Sequence, residues 1–187
     1  LSLVGSEMCI RDSVYNAIIL NELDANYVYP QYDDEYGYYK GISLREIKDT
    51  VEKNESMSKD IKAVVITSPT YEGNVSDIKN IAAYLHEHNI PLIVDEAHGA
   101  HFKFSCEFPQ TAVEQGADIV INSVHKTLPS LTQTAVMHIN YGYVNVSKVK
   151  RYWNIYQSTS PSYILMGSID RCMSIIEKDG EYLFENY

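Results

Sequence analysis

Cysteine is scarce in this chain of 187 residues: Cys9, Cys106 and Cys172 are odd in number and widely spaced. They supply neither a disulfide framework nor a CxxC pair, which leaves free thiols in a reducing compartment as the simplest reading. Positive charge is also short, with 15 Lys and Arg against 25 Asp and Glu and a formal net charge of −10. A nucleic-acid partner calls for a basic surface, so that class is disfavoured. The acidity serves solubility first, and it is compatible with a small cationic substrate. No apolar run approaches the roughly 18 residues of a membrane span. The N-terminus lacks the basic start and continuous apolar segment of a signal peptide. A cytoplasmic location, with no membrane and no nucleic-acid partner, is the expectation.

What is present is the composition of a folded domain, 45% apolar and 21% charged. Residues 1–12 (LSLVGSEMCIRD) share no periodicity with the rest of the chain and resemble translated sequencing-adaptor read-through. They are expected to be a non-native leader and are set aside from the fold. At the other end, Glu181 to Tyr187 stop within a helical apolar-polar pattern with no cap. Residues 13–187 are therefore expected to be an internal slice of a longer protein.

From Ser13 onward, short apolar runs alternate with amphipathic stretches. Ala17 to Leu20 is a short apolar run, and Tyr27 to Tyr39 reads as an exposed loop rich in Tyr and Asp. Leu44, Ile47 and Val51 recur at helical spacing behind Ser43 as N-cap. Ala63 to Thr67 reads as a buried strand closed by Ser68-Pro69. Ile78, Ile81, Ala82 and Leu85 share one helical face, with Ser76 as N-cap and Asp77 in the first turn. Leu92-Ile93-Val94 ends at Asp95, and Asp118 to Asn122 ends at Ser123. Strands apolar throughout and separated by helices predict an α/β fold, a three-layer, mostly parallel sheet with helices on both faces. Thr134 to Ile139 comes too soon for a crossover helix and is expected to be antiparallel. Helices are expected at about 146–157 and 163–178.

In open α/β sheets ligands bind beyond the carboxyl ends of the strands. Thr67-Ser68, Asp95 and Ser123 to Lys126 end the three central strands. Taken singly, Asp95 reads as a turn cap and Lys126 as a solvated charge; together they read as a site. A lysine amine, desolvated and near positive charge, can form a Schiff base with an aldehyde cofactor. A buried carboxylate facing a pyridine nitrogen keeps it protonated, so that the ring accepts electrons.

The stretch Asp95-Glu96-Ala97-His98-Gly99-Ala100-His101, together with the later Ser123-Val124-His125-Lys126-Thr127-Leu128-Pro129-Ser130-Leu131-Thr132-Gln133, resembles the ornithine/lysine/arginine decarboxylase family. These are pyridoxal-phosphate enzymes of the aspartate-aminotransferase fold type. Ser68-Pro69-Thr70-Tyr71-Glu72-Gly73 and Gln157 to Met166 match as well, so the resemblance covers Ser13 to Asp170. It implies a partial cofactor-binding major domain over 13–187, with an upstream phosphate-cradling turn and a C-terminal domain outside the chain. It also implies Lys126 as the Schiff-base lysine, Asp95 as partner of the pyridine nitrogen and Ala97 packed against a ring face. His98 is implied near the phenolic oxygen with a catalytic role, and Ser68 sharing that contact. Ser123 and His125 are implied as phosphate ligands, and Thr159 as reaching the phosphate of a neighbouring subunit in a homodimer or larger homo-oligomer. Where the family has a ring-stacking histidine, this chain has Arg11-Asp12. The implied reaction is loss of carbon dioxide from arginine, lysine or ornithine to give agmatine or a diamine, the chemistry of polyamine metabolism.

Other readings stand beside it. An aminotransferase or lyase shares the strand-end Asp and the Lys but usually lacks the HKTLPSLTQ continuation. Asp-Glu-Ala-His also marks helicases, yet no GxxxxGK[ST] occurs between Ser13 and Asp95. Asp95, His98 and His101 are spaced by three, but His86 and His88 point to different helix faces and complete no metal site. A non-catalytic fragment that keeps the sheet is the remaining alternative.

Overall fold

Apolar runs, and the hydrogen-bonding demand of their backbones, organise this chain around one mixed sheet. The computed structural model describes residues 2–6 and 12–185, so Cys9 and Arg11 lie outside the described residues. In chain order the elements are β1 (Ser2–Ser6), α1 (Asp12–Leu20), β2 (Asp24–Val28), β3 (Tyr32–Asp33), β4 (Tyr38–Tyr39) and α2 (Leu44–Ser56). Next come β5 (Ile61–Thr67), α3 (Ile78–Glu87), β6 (Leu92–Asp95), β7 (Ile119–Ser123) and α4 (Val124–Thr127). The last are β8 (Ala135–Ile139), α5 (Val146–Tyr156) and α6 (Tyr163–Glu185). Six strands form one sheet in the order β2-β1-β5-β6-β7-β8. Its pairings are parallel except the antiparallel β7 with β8. Only a single helical turn and a loop separate those two, too little chain for a crossover.

The register sets the site. Thr67 pairs with Asp95 and Asp95 with Ile121, so β5, β6 and β7 end at one edge. Because strand residues alternate between faces, Val64, Ile66, Leu92, Val94 and Val120 point together to one side. There they pack with Ile47 and Val51 of α2 and Ile78, Ile81, Ala82 and Leu85 of α3. Side chains such as Ile81 and Leu85 are wholly buried, each stabilising by about 1.5–3 kcal/mol relative to exposure. The opposite face carries Thr67, Ile93, Asp95 and Ile121. Helix α5 lies against part of it, and with Ile121, Ala135 and Met137 it encloses a groove of about 550 Å³. Helices thus flank both faces, as expected, but the second face is thinly covered: Ile121 remains 37% exposed.

Several local expectations hold in detail. Ser43 closes a capping box on α2: its Oγ accepts from the Glu46 N–H at 3.4 Å and Glu46 Oε2 accepts from the Ser43 N–H at 2.7 Å. Others are corrected. Helix α3 is capped by Asp77, not Ser76: Asp77 Oδ1 accepts from the Asn80 N–H at 3.3 Å. Ser76 is drawn inward because its N–H donates to Ser68 Oγ at 3.0 Å. The apolar run Ala17 to Leu20 belongs to helix α1. The Tyr-rich stretch is no simple loop: Tyr27 lies in β2, and Tyr32 and Tyr39 face each other across the β3–β4 hairpin with ring centroids 4.8 Å apart. Helix α6 runs past 178 to Glu185. Within the stretch set aside as a leader, Ser2–Ser6 form β1 and fill the slot between β2 and β5. Among the described residues, no helix is long and apolar enough to cross a membrane.

Candidate active site

Three strand ends deliver the polar groups. Asp95 closes β6 and is buried, 7% exposed. Its Oδ1 accepts from the Ala97 N–H at 3.1 Å, a local turn of the kind short carboxylates form readily. That turn sends the chain back over the sheet edge, and His98 emerges from it. Lys126, in the single-turn helix α4 after β7, reaches across so that Nζ stands 3.0 Å from His98 Nε2. The two nitrogens stand at hydrogen-bonding distance, and either can be the donor according to the imidazole tautomer. The lysine, the imidazole and the buried carboxylate are therefore gathered at one edge of the sheet.

The supporting residues fall into place around them. Ala97 is buried, 1% exposed. Ser68 is also buried and tied into the fold: its N–H donates to the Asp95 carbonyl at 3.1 Å, and its Oγ accepts from Ser76. Ser123, buried at the end of β7, makes no side-chain bond to the start of α4. His125 Nδ1 lies 2.8 Å from the Thr134 carbonyl oxygen. That oxygen can only accept, so Nδ1 carries a proton, and His125 could donate to an anion from Nε2 only as an imidazolium. Thr159 is not brought to this cluster by any described bond. It is exposed in the 157–162 connection, where Ser158 and Ser160 bond to each other. The desolvated setting expected for the lysine is also not met, because Lys126 is exposed.

Two features were missed in the sequence. Glu96, beside Asp95 but turned to the other face, is 2% exposed. Its Oε1 accepts from the Ala112 N–H at 2.7 Å and its Oε2 from Asn122 Nδ2 at 3.0 Å. Burial pushes its carboxyl above the ordinary range, against the lowering effect of those two donors. It braces the turn that carries Asp95 and His98. Gly99 packs so closely there that a Cβ would lie 2.7 Å from Glu96 Cγ and 2.9 Å from Phe102 Cε2. The second is Tyr71, after β5, whose ring stands edge-on to His98 with centroids 5.7 Å apart and planes at 84°. Its place in the Ser68–Gly73 stretch was the available signal. A cavity of about 430 Å³ lies behind, lined by Glu96, Asn122, His138 and Met173 among others, but not by Asp95, His98 or Lys126. His101 turns away from the cluster and packs edge-to-face on Phe102 and Phe108.

Pyridoxal phosphate requires an amine that can reach its aldehyde and a carboxylate for its ring nitrogen. The residues present fit: Lys126 offers an accessible amine, and Asp95 a buried carboxylate on the adjacent strand end.

Comparison with known proteins gives the family. The family model described as Orn/Lys/Arg decarboxylase, major domain, matches residues 8–186. An arginine decarboxylase of Bacillus anthracis is 35% identical over 176 residues, covering 94% of this chain and 35% of that protein. The uncharacterized protein YaaO of Bacillus subtilis is 38% identical over 166 residues, 88% of this chain and 34% of its own length. The chain thus spans about a third of the length of these curated relatives. The crystal structure of mouse CSAD superposes with a TM-score of 0.64 at 21% identity, over 88% of this chain and 34% of that one, which shows a shared fold. On the family model and these relatives, this chain belongs to the Orn/Lys/Arg decarboxylase family and lies within its major domain.

Proposed function

We propose that the protein to which this chain belongs decarboxylates a basic amino acid, arginine, lysine or ornithine, using pyridoxal phosphate anchored on Lys126. The observation that carries this reading is the meeting of Lys126 and His98 at 3.0 Å beside the buried Asp95. When bound, the cofactor supplies an electron-accepting ring for the pair released as carbon dioxide departs. Asp95 would hold a proton on the ring nitrogen, where burial strengthens the attraction. Lys126 would provide the anchoring amine and, with His98, would be placed to deliver a proton to the substrate's α-carbon. Ala97 would leave room for a flat ring, Ser68 and His98 would serve its phenolic side, and Ser123 with His125 would serve the phosphate. Thr159, exposed between α5 and α6, would act across the interface of a homodimer. The acidic balance of the chain suits a cationic substrate, and the named arginine decarboxylase relatives make arginine the first to test. An aminotransferase or lyase built on the same Asp and Lys is the second reading.

The cofactor assignment is tested with the full-length protein and its Lys126→Ala variant. The variant should lose the visible absorbance of the bound cofactor while keeping its circular dichroism. Survival of that band would remove Lys126 as the anchor. Release of a keto acid from arginine, lysine or ornithine without carbon dioxide would move the assignment to an aminotransferase.

A further inference from the structure

The cavity of about 430 Å³ takes no part in the proposed decarboxylation, since Asp95, His98 and Lys126 do not line it. Its size falls within the roughly 300–1,000 Å³ of sites that bind small molecules. Helix α6 contributes Ile169 and Met173, one turn apart on the same helix face. The helix is pinned next to them. Cys172 and Ile176 are buried with Val124 and Leu128, and Ser168 Oγ accepts from the Leu131 N–H at 2.8 Å. Phe104, Val113 and Val136 complete a lining that is mostly apolar, and Ala100 is too small to fill the space.

The charged groups around the cavity are committed to one another. Lys103 pairs with Glu114, and Glu114 Oε2 also accepts from the Thr111 hydroxyl at 3.1 Å. Glu96 is held by the Ala112 N–H and by Asn122. Desolvation lowers the His138 pKa, which favours its neutral ring. Asn122 is different. It is 7% exposed, and its Nδ2 donates to the Glu96 carbonyl and to Glu96 Oε2, both at 3.0 Å. A backbone carbonyl can only accept, so the amide orientation is fixed and Oδ1 turns away from Glu96. That oxygen accepts in no described bond, and a buried acceptor gains from a ligand that brings a donor. Phe104 and Met173 suit an aromatic body, through ring-to-ring and sulfur-to-ring contact.

We propose that this cavity binds a small, uncharged aromatic molecule carrying one hydrogen-bond donor, of the size of indole, with its ring beside Ile169 and Met173 and its donor on Asn122 Oδ1. The proposal does not rest on the cofactor reading.

The test uses the full-length protein with indole as the probe, followed by calorimetry and by methyl NMR. Indole should bind and shift the methyl signals of Val136, Ile169 and Met173. Its N-methyl derivative, which has no donor, should bind about fivefold more weakly, the worth of one net hydrogen bond. Ile169→Trp fills the space and should abolish binding with Tm unchanged or raised. Should that variant fail to fold, the methyl map and the two indoles decide alone. Absence of binding, shifts confined to other methyls, equal affinity for the two indoles, or undiminished binding by folded Ile169→Trp each overturns the proposal. Pyridoxal phosphate should leave the indole affinity unchanged; displacement would merge the cavity with the cofactor site and also overturn it. Indole binding in a protein that shows no cofactor band would refute the cofactor reading and leave this site standing.

Discussion

Replacing Glu96 perturbs the brace beneath the site, and its consequences can be worked from the contacts. In Glu96→Ala the buried Ala112 N–H loses its acceptor, at a cost of about 1–3 kcal/mol. Asn122 loses one acceptor but keeps the Glu96 carbonyl at 3.0 Å, so its loss is smaller, near about 1 kcal/mol. The expected destabilisation is about 2–4 kcal/mol. Glu96→Gln keeps an oxygen for Ala112 but turns an NH₂ toward the Asn122 NH₂, and should cost about 1 kcal/mol at low pH. The dependence on pH comes from the raised carboxyl, whose first cause is burial. A carboxyl raised on folding favours the folded state below its unfolded pKa and loses that contribution as pH rises through its folded value. Glutamine does not titrate, so the deficit of Glu96→Gln should narrow as pH rises above about 4. Urea unfolding of the chain at several pH values measures both effects. A deficit that widens with pH, or a Glu96→Ala variant within about 0.5 kcal/mol of wild type, would refute the reasoning.

Two further outcomes are expected. Asp95→Asn in the full-length protein should retain the cofactor yet lower kcat about ten- to a hundredfold, the worth of a charged hydrogen bond of about 1.5–3 kcal/mol; unchanged steady-state kinetics would remove Asp95 from the ring nitrogen. Gly99→Ala places a methyl 2.7 Å from Glu96 Cγ and against the Phe102 ring, and overpacking of this kind costs about 1–3 kcal/mol, measurable as a lowered Tm.

Legibility tracked the range of the interactions. Helix α2 could be read from Ser43 and the Leu44, Ile47, Val51 spacing because a cap and an amphipathic face are local signals. Strands β5, β6 and β7 were visible as uninterrupted apolar runs, and β8 as antiparallel from connection length alone. The cap of α3 was misplaced by one residue because Ser76 is recruited by Ser68, eight positions away. Strand β2 and the β3–β4 hairpin were hidden by tyrosines and aspartates, which read as loop until a neighbouring strand supplies the pairing. Glu96 looked like one more acid in a motif, since its partners Ala112 and Asn122 lie 16 and 26 positions on.

By itself the sequence determined the alternation of strand and helix and the identity of the groups at the strand ends, because periodicity and terminating polar residues are written in adjacent positions. Only the tertiary structure decided that Lys126 meets His98, that Tyr71 stands against that imidazole, and that Asp95 and Glu96 face opposite sides of the sheet with different partners. Those facts depend on strand register, and register is settled by backbone pairing between segments that are remote along the chain.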